Sequence, residues 1–552
     1  MSRHRNTDTE LDVAIIGAGH NGLVAGAYLA AAGLAVGLFE RRALVGGAAV
    51  TEEFAPGFRN STASYTVSLL QARIIRELHL AEHGLTILPR PMQNFLPLGN
   101  GASFSVPASA SGFASEISRH STRDVAGYAA WSALIGEAAE LLRELAWRAP
   151  PTDLRRWQDL WTLLRLGRRV RALPLTRQRE LHELFTRSAG DLLDARFESD
   201  ALKAFLGFDS VVGSYASPYT PGSAYVLLHH AFGELNGQRG TWGHARGGMG
   251  AITQAMAQEV LRRGARIETD APVERVLVED GRARGLRLMD GRVIRARAVA
   301  ANVNPKLLYL QMLEPGQLPA PFRAAMERYR CASASFRMNV ALSELPRFDC
   351  VPQSGIADHH RSGIIIAPSL RYMDRAYAEA RLQGHSSAPI IEMLIPSTVD
   401  DSLAPPGAHV ASLFCQHFAP QLPDGRSWES ERAAMAGLII DTVSEHASNF
   451  RRAVIACSAL SPADLEQRFG LVGGDIFHGA LGLDQMWAAR PVLGYADYRS
   501  PIPGLYLCGA GAHPGGGISG LPGYNAAQRI LSDWRTRGRR PVPWRTDSRA
   551  ID

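Results

Sequence analysis

Cysteine is scarce in this chain and never closely spaced. The five cysteines, Cys331, Cys350, Cys415, Cys457 and Cys508, include no Cys-x-x-Cys pair. That spacing argues against a thioredoxin-like dithiol and a zinc ribbon, and no metal site is expected. An odd count without close pairs fits a reducing compartment, so the expected location is cytoplasmic. Lysine is scarcer still. Lys203 and Lys306 are the only two lysines, against a Lys+Arg total of 59, so chemistry that needs a lysine has two positions to draw on. The segment Met1 to Leu11 is polar and charged and holds no apolar core of a signal peptide. Concentrated charge is also missing. A net charge of +6 over 552 residues, with a sequence pI near 9.2, is too dilute to argue a nucleic-acid partner, and none is expected.

Long hydrophobic runs are missing too, with one stretch that needs an argument. Gly22 to Phe39 carries no charge and is long enough to raise a membrane span. It is rich in Gly and Ala rather than Leu and Ile, however, and it begins inside a phosphate-binding motif. It divides into a helix, a turn at Gly33–Leu34 and a strand. What remains is an ordinary globular balance, 46% hydrophobic and 20% charged. The length is sufficient for more than one domain.

The run Leu11-Asp12-Val13-Ala14-Ile15-Ile16 is apolar and β-branched and predicts a buried parallel strand. A helix from about Asn21 to Ala32 and a strand over Val36 to Glu40 complete a β-α-β unit. From about Phe95 to Ser223 the pattern reads as mostly helical, with helical spacing over Phe113 to Arg148 and Asp153 to Phe197. A Gly-rich loop at Gly247 feeds a helix over Ala251 to Leu261. Short strands follow at Arg266 to Thr269, Val273 to Val278, Ala283 to Leu288 and Val293 to Ala300, with hairpin turns at Asp280-Gly281 and Asp290-Gly291. A mixed region from Leu307 to Gly474 holds strand candidates at Ser335 to Leu342, Ile390 to Ile395 and His409 to Phe414. The last unit is a strand, Leu505 to Cys508, a Gly-rich loop and a helix from about Gly523 to Arg535.

Gly17-Ala18-Gly19-His20-Asn21-Gly22 is a G-x-G-x-x-G turn between strand and helix. Gly17 permits the tight turn, Gly19 lets backbone approach a pyrophosphate, and Gly22 lets helix pack on strand. The helix N-terminus adds partial positive charge. Glu40 closes the next strand, placed to hold ribose hydroxyls. The basic pair Arg41-Arg42 reads either as a 2′-phosphate contact or as a solvated pair. Gly46-Gly47 let the chain pass close to a larger cofactor, which favours FAD over NAD. The absence of a second strand–G-x-G-x-x-G–helix unit implies that reducing equivalents come from the substrate, not from NAD(P)H.

Three segments carry a family resemblance: Asp12 to Gly22 (DVAIIGAGHNG), Trp242 to Ala255 (WGHARGGMGAITQA) and Pro503 to Ala527 (PGLYLCGAGAHPGGGISGLPGYNAA). With Leu228 to His230, Gly233 to Leu235 and Pro396 to His409, they resemble the phytoene-desaturase-like flavoproteins. Within these, the sequence is most similar to the pyridine nucleotide-disulphide oxidoreductase domain-containing protein 2 family. The resemblance covers nearly the whole chain. It implies an α/β fold: a discontinuous, glutathione-reductase-type (Rossmann-like) FAD-binding domain with an inserted α+β substrate domain. The expected division is 8–94, 224–306 and 475–536 for FAD, 95–223 and 307–474 for substrate, and a disordered tail at 537–552. The expected cofactor contacts are Gly17, Gly19, His20, Asn21, Gly22, Glu40, Arg41, Gly46, Gly47, Val276, Gly509, Ala510, Gly517, Gly520 and Leu521. Gly515 to Gly517 with Gly520 would admit the flavin, and the last helix would aim its N-terminus at the pyrimidine edge. Cys508 and His513 carry the right chemistry for a covalent flavin bond, but non-covalent FAD is expected. With no redox cysteine pair, disulphide reduction is not.

The resemblance implies an FAD-dependent dehydrogenase or desaturase that takes hydride from a C–H bond of an apolar or amphipathic organic substrate to flavin N5. A polyene isomerase, an amine oxidase and a non-catalytic binder of the same fold are the alternatives. His229, His230 and Glu234 are the candidate acid–base residues. Lys306 reads as following the end of an FAD-domain strand rather than as holding the position of an amine-oxidase lysine, and Lys203 lies in helical cap material, which favours the desaturase or dehydrogenase over the amine oxidase. Oxygen or a quinone fits as electron acceptor. In Arg155 to Arg171, Trp157, Leu160, Trp161 and Leu164 share a helical face among arginines, which reads as a membrane-surface helix or as a cap helix. Assembly into a homo-oligomer is compatible with the sequence.

Overall fold

The strand Leu11–Ile16 is buried at every residue but Asp12, as a run with no polar alternation requires. In the computed structural model, which describes residues 10–153, 156–235, 238–239, 241–351 and 355–536, this strand lies at the centre of a parallel sheet. For residues 158, 234, 235, 238 and 239 only the backbone is described. The expected tail at 537–552 and residues 8 and 9 lie outside the described residues.

Val36–Phe39 and Val293–Ala301 flank the first strand in parallel. Arg266–Glu268 extends the sheet on one side and Leu505–Leu507 lies along Val293–Ala301, both also parallel. Val293–Ala301 has two roles. Its first residues pair antiparallel with Arg282–Leu288, which pairs with Val273–Glu279. From Ala296 onward it belongs to the parallel sheet. Segments from the start, middle and end of the chain thereby share one seven-stranded sheet. The Asp280-Gly281 hairpin forms as expected, with φ of 50° and 68° at the two residues, the left-handed pair that a tight hairpin demands. The helices His20–Ala31 and Leu521–Thr536 cross so closely that a Cβ on Gly523 would lie 2.1 Å from the Asn21 carbonyl oxygen.

A second seven-stranded sheet runs in the order Val454–Leu460, Phe336–Leu342, His409–Phe418, His385–Leu394, Gly363–Ile366, Met92–Pro97, Ser103–Pro107. It is antiparallel except where Gly363–Ile366 meets Met92–Pro97. Alternate residues face opposite ways. Phe336, Met338, Ile364 and Leu413 pack with Ile439 and Val443 of the helix Trp428–Ser444. Leu96, Phe104, Ile365 and Phe414 pack with Phe113, Leu202 and Leu228 of a helical layer.

Three expectations shift. The helical region starts at Ala110, not Phe95, because Met92–Pro97 and Ser103–Pro107 form a hairpin around Asn100 and Gly101, both at positive φ. The helical spacing over Phe113 to Arg148 resolves into two helices, Ala110–His120 and Thr122–Ala146, because Ser121 breaks the backbone and its Oγ accepts from the Asp124 N–H. Boundaries at 94, 224 and 306 cut across the packing. Residue 94 falls inside a strand of the second sheet, Ala224 and Leu228 pack in the helical layer, and Leu308, Tyr309 and Phe322 pack in the first core. Which core buries an apolar face decides the division, and pattern alone does not reveal it.

Candidate active site

Parallel strands in an open α/β sheet deliver their ligand to the carboxyl ends. Gly17, Glu40 and Asn302 directly follow strands ending at Ile16, Phe39 and Ala301, and Gly509 follows shortly after Leu507. Gly17, Glu40 and Asn302 line a crevice of about 360 Å³, with Gly509 behind Asn302. Gly17, at φ 85°, makes the tight turn. Gly22 has no room for a side chain, since a Cβ there would sit 2.2 Å from the Gly17 carbonyl oxygen. The helix start at Gly19 has no side-chain cap of its own. Asn302 serves instead: with its amide oxygen toward the turn, it accepts from the N–H groups of Gly19 at 3.3 Å and Gly22 at 3.2 Å.

Glu40 is buried beside this turn. Its carboxylate accepts from the Ala18 N–H at 2.9 Å and the Arg42 N–H at 3.1 Å, which leaves lone pairs for ribose hydroxyls. Several buried polar atoms lining the crevice have no protein partner: His20 Nε2, both amide atoms of Asn21, and His478 Nδ1. Burial lowers His20 to about 3, with His478 adding to the effect, and lowers His478 to about 4. Both rings are neutral there and suit phosphate oxygens or flavin edge atoms without adding fixed charge. A glycine-walled crevice with orphaned donors and one acid fits a dinucleotide.

Gly17, Gly19, His20, Asn21, Glu40, Arg41, Gly47, Ala510 and Gly517 all line this crevice. Others of the expected set stand one layer back. Gly46 bridges Gly19 and donates its N–H to the Ala18 carbonyl. Gly509 backs Asn302, and Gly520 admits Ile74 and Val24. Leu521 opens the last helix two residues earlier than expected and borders a small void beside Gly516. Val276 is a correction. It is buried in the core with its N–H bound to the Met312 carbonyl, and Val273 of the same strand faces the crevice. Arg42 pairs with Glu52 at 2.8 Å, and Arg41 donates to the Gln467 carbonyl. Cys508 is fully buried, and His513 Nε2 is engaged by the Leu145 carbonyl at 3.1 Å, so neither is offered to the crevice. Lys203 pairs with Asp194 and Asp200, and Lys306 reaches the Glu327 carbonyl. Among the described residues no lysine lines the crevice or the chamber beyond it.

That chamber, of about 550 Å³, lies between the second sheet and the helical layer. Val106, Phe113, Ile117, Phe205, Phe208 and Ile365 give it apolar wall, and Gln93, Asn94, Tyr128 and Ser132 line it as well. The wall between chamber and crevice carries the expected histidines. His230 faces the chamber, stacked on Trp242, and its Nδ1 donates to the Val226 carbonyl at 2.9 Å. Burial brings His230 to about 4, so it is neutral and a weak base. His229 packs among Tyr225, Phe232 and Phe477, and burial lowers it to about 3. Phe477 stands between the two spaces, with its ring 6.2 Å from His230 and close enough to Gly516 that a Cβ there would lie 2.7 Å from it. The Glu234 side chain lies outside the described residues.

A buried charge cluster also borders the chamber, and motif reading missed it. The Tyr65 hydroxyl donates to Glu392, and the Arg337 guanidinium lies 4.5 Å from the Tyr65 ring centroid. Arg90 donates to the Thr66 hydroxyl at 2.5 Å. Burial holds Glu392 above the ordinary carboxylate range, although Arg90 and Arg337 pull it down. Asp209 adds a second carboxyl. The other omissions are Asn302, His478 and Arg490. Asn302 had a signal, since it follows a buried strand just as Gly17 and Glu40 do. His478 and Arg490 had none.

Comparison with known proteins agrees with this geometry. The model of the family of flavin containing amine oxidoreductases matches residues 22–336. A mouse protein, pyridine nucleotide-disulfide oxidoreductase domain-containing protein 2, is 40% identical over 549 residues, covering 95% of this chain and 94% of its own. A lycopene-forming phytoene desaturase of Pseudescherichia vulneris is 26% identical, covering 92% of this chain and 96% of its own. Cyclohexylamine oxidase from Brevibacterium oxydans shares the fold at a TM-score of 0.57 with 14% identity, covering 96% of this chain and all (100%) of that one. The glycine crevice, its neighbouring acid and these relatives together mean that the chain belongs to the flavin containing amine oxidoreductase family, as a phytoene-desaturase-like FAD-dependent oxidoreductase.

Proposed function

We propose that this enzyme dehydrogenates an apolar or amphipathic organic substrate at a C–H bond, with FAD held non-covalently in the glycine crevice and substrate in the chamber. Bound FAD supplies the hydride acceptor. The protein's own part is to hold the substrate carbon, exclude water and shape the passage between the two spaces. The observation that carries this reading is the pairing of a glycine-walled crevice, with its buried acid and orphaned polar atoms, with a second chamber across the Phe477–His230 wall. The cofactor contacts proposed are the crevice-lining residues, with Asn302 and His478 added and Val276 removed. The test is a substrate screen without oxygen. Bleaching of the flavin supports dehydrogenation, whereas turnover without net flavin reduction supports a polyene isomerase and overturns it. Oxygen or a quinone completes the cycle. Reoxidation in air, compared with reoxidation by a quinone under nitrogen, separates them.

His230 shapes the chamber end nearest the wall. The variant His230→Ala is expected to slow substrate-dependent flavin reduction by about tenfold to a hundredfold while flavin content stays at the wild-type level. Unchanged reduction kinetics in stopped flow would remove His230 from the active site.

The helix Trp157–Arg171 supports a second contact. Trp157, Trp161 and Leu164 are 67%, 50% and 47% exposed, and Arg165, Arg168, Arg169 and Arg171 surround them. Arg169 pairs with Glu144 and ties the helix to Thr122–Ala146. An apolar stripe among arginines suits an anionic membrane surface. No helix among the described residues is long and apolar enough to cross a membrane. Cosedimentation with phosphatidylcholine vesicles is expected only when phosphatidylserine is included, and to fall in Trp157→Ser/Trp161→Ser. Equal recovery with both vesicle types would count against it.

A further inference from the structure

One acidic side chain of the chamber has no partner among the described residues. Asp209 sits at the end of the helix Asp200–Phe208 and lines the chamber beside Phe205, Phe208 and Val212. Glu392, by contrast, is served by the Tyr65 hydroxyl and flanked by Arg90 and Arg337. Among the described residues nothing donates a hydrogen bond to the Asp209 carboxyl and no cation pairs with it. Burial, with the Glu392 carboxylate nearby, pushes it up to about 7. Asp209 is part-buried, and a carboxyl held against Phe205, Phe208 and Val212 without a partner has a desolvation cost that a ligand's donor can recover.

The charges around the chamber say what that ligand is. Arg90 and Arg337 bring two positive charges; Glu392 and Asp209, when ionised, bring two negative ones. His230 is neutral, so the set balances when both acids are ionised. A cationic head would leave the set with an uncompensated positive charge, and a carboxylate head would repel both acids. A neutral donor satisfies Asp209 at no charge cost. The chamber's volume of about 550 Å³ falls inside the usual range for small-molecule sites.

We propose that the chamber takes an amphipathic substrate whose polar head is a hydroxyl, and that Asp209 is the acceptor anchoring it. This rests on the oxidoreductase reading above, which makes the chamber the substrate's place.

The test uses the full-length, FAD-loaded protein and four probes with one apolar body: 1-octanol, 1-methoxyoctane, octylammonium and octanoate. Binding is measured by calorimetry. The expected result is that 1-octanol binds about tenfold more tightly than 1-methoxyoctane, which lacks only the donor. Asp209→Ala should remove that difference and leave 1-methoxyoctane unchanged; Asp209→Asn should remove most of it. The wild-type comparison stands even if a variant fails to fold. Equal binding of 1-octanol and 1-methoxyoctane, tightest binding of octylammonium or octanoate, persistence of the preference in Asp209→Ala, or no binding of any probe overturns the proposal. Flavin content is read from visible absorbance on the same samples. Colourless protein that still prefers 1-octanol would overturn the oxidoreductase reading and leave the anchor standing. Yellow protein without the preference would do the reverse.

Discussion

Gly19→Trp is expected to purify colourless. Gly19 is the point where the helix start meets the crevice, and a Cβ there would lie 2.8 Å from the Asn302 side-chain amide and 3.7 Å from Gly47 Cα. An indole has one way out, into the crevice, where it takes the space that a pyrophosphate needs. It also dislodges Asn302 from the N–H groups of Gly19 and Gly22. The crevice is open space, so the fold should survive at a cost of about 1–3 kcal/mol. The ratio of flavin to protein absorbance, with circular dichroism to verify folding, reads the result. Gly136→Trp is the control: that glycine meets nothing within 4 Å, and the variant should stay yellow. Full flavin occupancy in Gly19→Trp would contradict the assignment of the first turn to the cofactor.

Arg490→Met should be the more damaging change. Arg490 is fully buried, and its guanidinium makes five hydrogen bonds to four carbonyls: those of Ala510, Gly479, Gln485 and Phe477. Two of these segments form crevice wall, since Ala510 lines it directly and Phe477 lies between the lining residues Ile476 and His478. Asp475 holds the same segment from its other end by accepting from the N–H groups of Ala332 and Phe477. Methionine fills much of the volume but donates nothing, so four buried carbonyls lose their partner. The expected loss is about 3–5 kcal/mol, together with most of the flavin. Urea unfolding of the flavin-free proteins separates the structural cost from the stabilisation that bound cofactor adds. A midpoint close to the wild-type value would show that the loop does not depend on Arg490.

Particular residues show how far pattern reading reached. Gly17, Gly19, Gly22 and Glu40 were legible because a phosphate turn is local: strand, turn and helix follow within a few residues, and the acid ends the next strand. Gly517 and Ala510 were legible for a related reason, because a Gly-rich stretch between strand and helix has few uses besides close approach. Val276 went astray because β-alternation alone does not say which residue of a twisted hairpin faces the ligand. There, a register shift between Val273 and Arg275 intervenes. Met92–Pro97 went astray because it holds no β-branched residue, and one of its two partners, Gly363–Ile366, lies far along the chain.

The amino-acid order by itself indicated the kind of cofactor, the glycine turn that lines the crevice and the fact that both ends of the chain contribute to that crevice. Those features depend on backbone conformations and hydrogen bonds between near neighbours. The chamber, the Asp209–Glu392–Arg90–Arg337 charge group, the Arg490 bracket and the true limits of the two cores were decided by tertiary structure alone. Each depends on which distant segments share a sheet or a buried face, and the desolvation that gives a charge or a carbonyl its importance exists only once those segments have packed together.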